Sequence, residues 1–265
     1  MMNMNEFFCE DPNELPLRHN ATDGGYVGIF RKIAVVGDSL ASGEHETQDL
    51  GCTKGFHDFI DYSWGQYLAR IAGTTVYNFT RGGMTAKEYC DSYASNMGYW
   101  DSEKACQCYI IALGVNDFFG LGMEAGDVSD ICDENFRRNK CTFTGYYAKI
   151  IQMYKKISPD AKFFLVTMAR DGSTGDRLKQ IEDQVKAVRA IAEHFDSCYV
   201  IDLYENMPSH EGEFHEKFYT GGHLNALGYE LFGRVICSYM DYIIRHNVKD
   251  FVHAGLIGTP YGYEE

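Results

Sequence analysis

The chain has 265 residues, 45% of them hydrophobic and 23% charged, the composition of a compact protein with one sizeable core. Its 38 acidic and 24 basic residues leave a formal net charge of -14, and with no dense basic run this argues against nucleic acid as a partner. The opening MMNMNEFFCEDPNEL lacks a basic segment followed by a long apolar one, and no later run approaches ~20 apolar residues, so a cytoplasmic protein without membrane association is expected.

Residues 1–30 are polar, with Asp11-Pro12-Asn13 and Asp23-Gly24-Gly25 as turn signals, and read as a tail or surface wrap; residues 31–265 read as a single domain. Lys32 to Val36 (KIAVV) is a short β-branched run ending at Gly37, a first buried strand. Ser63 to Ala72 carries Trp64, Tyr67, Leu68 and Ile71 at helical spacing, and Thr75 to Asn78 is a second strand. Thr85 to Met97 reads as a helix, and Cys106 to Leu113 as a third strand closed by Gly114. In that strand Cys106 and Cys108 share one face as buried thiols rather than a zinc site. Nine cysteines, an odd number, fit reduced thiols better than a disulfide framework.

Tyr146, Ile150, Ile151, Tyr154 and Ile157 form an apolar stripe between Thr142 and Ser158, stopped by Pro159, and Lys162 to Thr167 follows as strand four. Arg177 to Glu193 is another amphipathic helix, and Cys198 to Asp202 strand five. A last helix from Ala226 to His246 repeats Leu227, Leu231, Val235, Tyr239 and Ile243 every four residues as its expected core face. Strands alternating with helices call for a three-layer α/β/α sandwich with a mostly parallel five-stranded, flavodoxin-like sheet. Ligands of such sheets sit beyond the carboxyl ends of the strands.

Four motifs fall there. Gly37-Asp38-Ser39-Leu40 sets a serine on the turn after strand one, where it is suited to nucleophilic attack. Gly82-Gly83 after strand two offers a free backbone N–H, and Asn116 in Gly114-Val115-Asn116-Asp117 offers a side-chain amide after strand three. His223 lies in Gly221-Gly222-His223-Leu224-Asn225, after strand five and just before the last helix. Each alone is an ordinary turn; together they supply a nucleophile in Ser39, a base in His223 and three oxyanion donors in the Ser39 and Gly83 N–H groups and Asn116. No cofactor is required. Asp38 is expected to organise the nucleophile turn and Asp117 to brace the loop after strand three. Glu44, His45 and Glu46 read as a solvated polar turn, and His57, His210 and His215 show no metal spacing.

On these blocks the chain resembles the SGNH/GDSL hydrolase family from about Lys32 to Tyr229, which implies an α/β/α sandwich with esterase, lipase, thioesterase or carbohydrate-deacetylating activity. The resemblance implies Ser39 as nucleophile, Gly83 and Asn116 as oxyanion donors and His223 as base. The family places an acid three residues before its histidine, whereas this chain has Thr220 there. A main-chain carbonyl before His223 is expected to take the imidazole N–H, giving a Ser–His dyad, with Glu216 or Asp202 as substitute carboxylates.

The expected substrate is a small-molecule or carbohydrate ester with a small acyl group, acetyl among the candidates; a lipase or thioesterase is the alternative. An α/β-hydrolase elbow is disfavoured because Ala41 stands where its second glycine belongs. A nucleotide-binding module is disfavoured because the Gly37 to Gly43 loop lacks G-x-G-x-x-G and GK[ST]. A non-catalytic carbohydrate-binding pseudoenzyme stays open.

Overall fold

A computed structural model describes residues 11–48 and 54–263. Among the described residues the strands run in chain order as β1 (Lys32–Gly37), β2 (Glu44–Gln48), β3 (Lys54–Asp58), β4 (Thr75–Thr80), β5 (Cys108–Ala112), β6 (Lys162–Val166), β7 (Cys198–Ile201), β8 (Tyr219–Thr220) and β9 (His223–Leu224). Five of them form the central sheet in the order β4-β1-β5-β6-β7, every pair parallel. β1 shows why: all its residues but Lys32 are buried, as strands covered on both faces require.

Alternate residues of the strands enter two separate cores. Ile33, Val35, Cys108, Ile110 and Phe164 meet Leu68, Ile236 and Met240 on one face. Ala34, Val36, Tyr109, Ile111, Phe163 and Leu165 meet Tyr147, Ile150, Val188 and Ile191 on the other. The first face is covered by α2 (Trp64–Ala72) and α8 (Ala226–His246), the second by α3 (residues 86–96), α4 (Phe143–Ile157) and α5 (Gly175–His194). The expected α/β/α sandwich is therefore present. Local signals set the helix ends: Thr142 accepts the Gly145 N–H at 3.2 Å to cap α4, a bond whose loss typically costs ~1 kcal/mol.

Residues 11–30 lie against α8. The Ala21 N–H donates to Ser238 Oγ and the Tyr26 N–H to Asp241 Oδ1, and Arg245 forks onto Glu14 at 2.7 and 2.9 Å. Residues 1–10 of the expected tail, with Cys9, lie outside the described residues, as does Cys52. Among the described residues no helix is long and apolar enough to cross a membrane.

Three expectations need correction. The core face of α8 is Tyr229, Phe232, Ile236, Met240 and Ile243, while Leu227 is 65% exposed and Leu231 and Val235 are half-buried. A strict four-residue step advances about 40° beyond a full turn each time, so the stripe begins off the core and rotates onto it only at Tyr239. Cys106 and Cys108 are both buried thiols but pack into different cores, because Cys106 precedes β5 and escapes the strand's alternation. Third, α3 is not a uniform helix: its middle turn, Tyr89–Tyr93, is π-wound.

Candidate active site

β1 delivers the nucleophile turn. Gly37 is pressed between elements: a Cβ there would sit 2.6 Å from Ala41 Cβ and 3.1 Å from the Ala112 carbonyl. Ser39 then opens α1 (Ser39–Ser42), capped by Asp38, whose carboxylate accepts the Leu40 N–H at 3.0 Å. The Trp64 indole donates to the Leu40 carbonyl at 3.1 Å, and the Tyr229 hydroxyl shares its proton between the carbonyls of Ser39 and Glu44 at 3.1 and 2.6 Å. Gly43, at φ +86, ends α1 where any Cβ would strike the Phe59 carbonyl, and turns the chain into β2.

The loops after β4 and β5 are joined. Gly83 takes φ +72 in the turn from Arg81 to Met84, a conformation that favours glycine. Asn116 Nδ2 donates to the Met84 carbonyl at 3.1 Å. Both carboxylate oxygens of the buried Asp117 accept the Ala86 N–H, at 3.0 and 3.1 Å, at the start of α3.

β8 and β9 form a two-stranded ladder around Gly221-Gly222, with Thr220 directly opposite His223. The turn carrying Ser39 packs against β9, and so does β2. β2 pairs antiparallel with β3, placing Glu44 opposite Asp58 and Glu46 opposite Phe56. His223 Nε2 lies 3.0 Å from Glu44 Oε1, and Nδ1 lies 3.2 Å from Glu46 Oε1. All three side chains are largely buried, and the Phe56 ring stands edge-on to the imidazole, with centroids 5.4 Å apart. Glu44 also reaches the loop after β4, since a Cβ on Gly82 would lie 2.0 Å from its Oε2.

Burial dominates the electrostatics. It pushes Asp38 up to about 7, helped by Asp117 and Glu44 and opposed by the Leu40 N–H. Burial raises Asp117 to about 6 against the pull of the Ala86 and Lys87 N–H groups. Glu44 is raised too, by burial, with His223 opposing and Asp58 and Glu46 adding to it.

A cavity of about 390 Å³ begins beside the nucleophile turn, lined there by Asp38 and Leu40, and passes Gly222. Its lining is mostly apolar, with Leu113, Met168, Ile181 and Phe232, and also carries Asp171, Arg177 and Gln184, while Ser39 and His223 are not part of it. His210 stands in that lining with Nδ1 on the Tyr219 hydroxyl at 2.9 Å, and burial pushes its imidazole down to about 4.

A profile of the GDSL-like lipase/acylhydrolase family matches residues 35–231. The chain belongs to that family. Solved structures similar to this GDSL-family chain include an active-site mutant of a family two carbohydrate esterase from Clostridium thermocellum, 15% identical, covering 83% of this chain and 64% of that one at TM-score 0.57. A family two carbohydrate esterase with a carbohydrate-binding domain from Corynascus thermopiles (Myceliophthora fergusii) is 17% identical over 81% and 66% of the two chains, at TM-score 0.57. A possible lipase from Chitinophaga pinensis DSM 2588 is 17% identical over 81% and 98%, at TM-score 0.53. At such identities the likeness is one of fold, and the chain spans about two thirds of the length of the two carbohydrate esterases. No curated protein matches the sequence significantly.

Within this GDSL-family fold, Ser39, Gly83, Asn116 and His223 all lie at the carboxyl edge of the sheet or in the hairpin packed on it. The expected supporting acids are not the carboxylates on the imidazole, although Asp202 also follows a sheet strand. Asp202 is committed to Arg189 at 2.6 Å and to the Glu205 N–H, capping α6 (Leu203–Asn206), and Glu216 is exposed on α7 (Gly212–Phe218). Nor does a main-chain carbonyl take the imidazole: carboxylates face both ring nitrogens. Glu44 and Glu46 were missed as site residues because the β2–β3 hairpin carries no apolar alternation. The available signal was their i, i+2 spacing, which puts both carboxylates on one side of an extended strand.

Proposed function

We propose that the chain is a serine acylhydrolase that cleaves an acyl ester through an acyl-Ser39 intermediate, with His223 as general base and then general acid. The observation that carries this is the packing of the Ser39 turn against the strand bearing His223, beside the joined loops of Gly83 and Asn116. Ser39 Oγ attacks the acyl carbon as its proton passes to His223 Nε2, and the carbonyl electrons move onto oxygen. The Ser39 and Gly83 N–H groups stabilise that oxyanion, together with the second amide proton of Asn116, whose first is held by Met84. The tetrahedral adduct collapses as His223 returns the proton to the leaving alcohol. Water repeats the sequence to release the acid and free Ser39. For Nε2 to receive the first proton, Glu44 must leave it.

The site's surroundings support a reading of the substrate class. A small or sugar-linked acyl ester fits the polar outer loops, and carbohydrate esterases share the fold. The largely apolar cavity next to the Ser39 turn supports an acyl part longer than acetyl, if the acyl chain enters past Leu40. Exposed Phe59, Ile60 and Tyr62 beyond the hairpin favour an apolar ester as well. Hydrolysis of p-nitrophenyl acetate, butyrate and octanoate separates these, with butyrate or octanoate expected to give the higher kcat/KM. Ser39→Ala is expected to lower kcat at least about 10⁴-fold and to abolish fluorophosphonate labelling. A Ser39→Ala protein that hydrolyses these esters as fast as wild type would overturn the assignment.

A further inference from the structure

We propose that Glu46 is the carboxylate that orients His223, so that the acid lacking at Thr220 is supplied by the hairpin following the nucleophile. The inference rests on the Ser39–His223 reading above.

The two carboxylates on the imidazole are not equivalent. A base that accepts the Ser39 proton on Nε2 needs its other nitrogen to carry a proton and to have an acceptor that stabilises the imidazolium. Glu46 Oε1 is that acceptor, 3.2 Å from Nδ1. Glu44, at 3.0 Å from Nε2, faces the nitrogen that must exchange the Ser39 proton and therefore cannot serve as orienter.

Glu46 is built into place from three sides. Its Oε1 also accepts the Gly222 N–H at 2.6 Å, one residue before the histidine. Its Oε2 lies against Gly221, where a Cβ would come within 2.1 Å and where φ is +64, so the turn that presents His223 is shaped around this carboxylate. Its cross-strand neighbour Phe56 covers the imidazole edge. With Glu46 and His223 side chains only 10% and 16% exposed, their attraction is screened far less than that of a surface pair.

Glu46→Gln tests this, because the amide oxygen can still accept from Gly222 while the charge is lost. On the best p-nitrophenyl ester, kcat is expected to fall about 10³- to 10⁴-fold, as for removal of the triad charge in a serine protease, with KM changed less than about threefold. Glu46→Asp should retain more activity than Glu46→Gln, and Thr220→Asp added to Glu46→Gln should recover at least about tenfold by delivering a carboxylate from the opposite strand. Glu216→Gln is the control and should match wild type. Glu46→Gln, folded by circular dichroism and within about threefold of wild-type kcat while Ser39→Ala and His223→Ala are dead, would overturn the role of Glu46 and leave the acylhydrolase intact. Activity surviving in Ser39→Ala would instead refute the underlying function.

Discussion

α8 has a histidine beside each end, and each meets carboxylates brought from far along the chain. At the carboxyl end, His246 Nε2 lies 2.8 Å from Glu14 Oε2, but Arg245 does the fastening: it forks onto Glu14 and holds Asp241 at 2.7 Å, all three side chains nearly sealed from solvent. Just before the amino end, His223 stands between Glu44 and Glu46. The first cluster is closed by a guanidinium that stays charged at any ordinary pH and sits where the helix dipole favours a cation. The second is closed by an imidazole with a carboxylate facing each of its ring nitrogens. Similar residue types thus build a guanidinium clasp at one end and, at the other, the cluster around the proposed base His223.

Breaking each cluster should separate stability from activity. The largest effect is expected from His223→Ala, which should cut kcat at least about 10⁴-fold while moving the thermal midpoint by no more than about 3 °C. Arg245→Ala should do the reverse. Leaving Glu14 and Asp241 buried without their guanidinium should cost about 3–5 kcal/mol, lowering the midpoint by about 10 °C, with kcat at 25 °C unchanged; loss of kcat in a protein of wild-type stability would erase the distinction.

A smaller effect tests the burden of buried carboxyls at the site end. Because burial raises Asp38 from its ordinary 3.8 to about 7, the native state holds a proton that the unfolded chain releases between those values. Stability from this group is therefore present at low pH and falls as pH rises towards 7. Asp38→Asn removes the titration yet keeps an acceptor for the Leu40 N–H. Its stability relative to wild type should be lowest near pH 4 and rise by up to about 4 kcal/mol above pH 7, measured by denaturant unfolding at both ends. A difference independent of pH would show that Asp38 ionises as freely as in the unfolded chain.

The sheet was legible because its strands are short β-branched or aromatic runs bounded by glycine, and burial on both faces leaves such runs unbroken. The blocks of Ser39, Gly83 and Asn116 could be placed at the sheet's carboxyl edge because each follows such a run, whereas His223 is separated from β7 by α6 and α7. The hairpin was not: EHETQ and KGFHD alternate nothing apolar, and their fold depends on the Gly43 turn and on packing against β9. Glu44 and Glu46 therefore looked like a polar turn, and the absence of an acid at Thr220 led to a main-chain carbonyl rather than to the hairpin. Asp202 was a poor substitute for a reason the sequence hides, since Arg189 on the preceding helix α5 pairs with it.

Asn116 and Asp117 are adjacent, and they grip the neighbouring loop at two points: Asn116 through the Met84 carbonyl and Asp117 through the Ala86 N–H. Gly83, the other proposed donor from these loops, is the residue before the first grip. The spacing between the two donors is thus set by hydrogen bonds that exist before any ester arrives, with one of them buried beyond the reach of water. In the proposed reaction, these dipoles need hardly turn as charge builds on a substrate oxygen. On that reading, the reorganisation that water would have to perform during each turnover is completed once, when the chain folds.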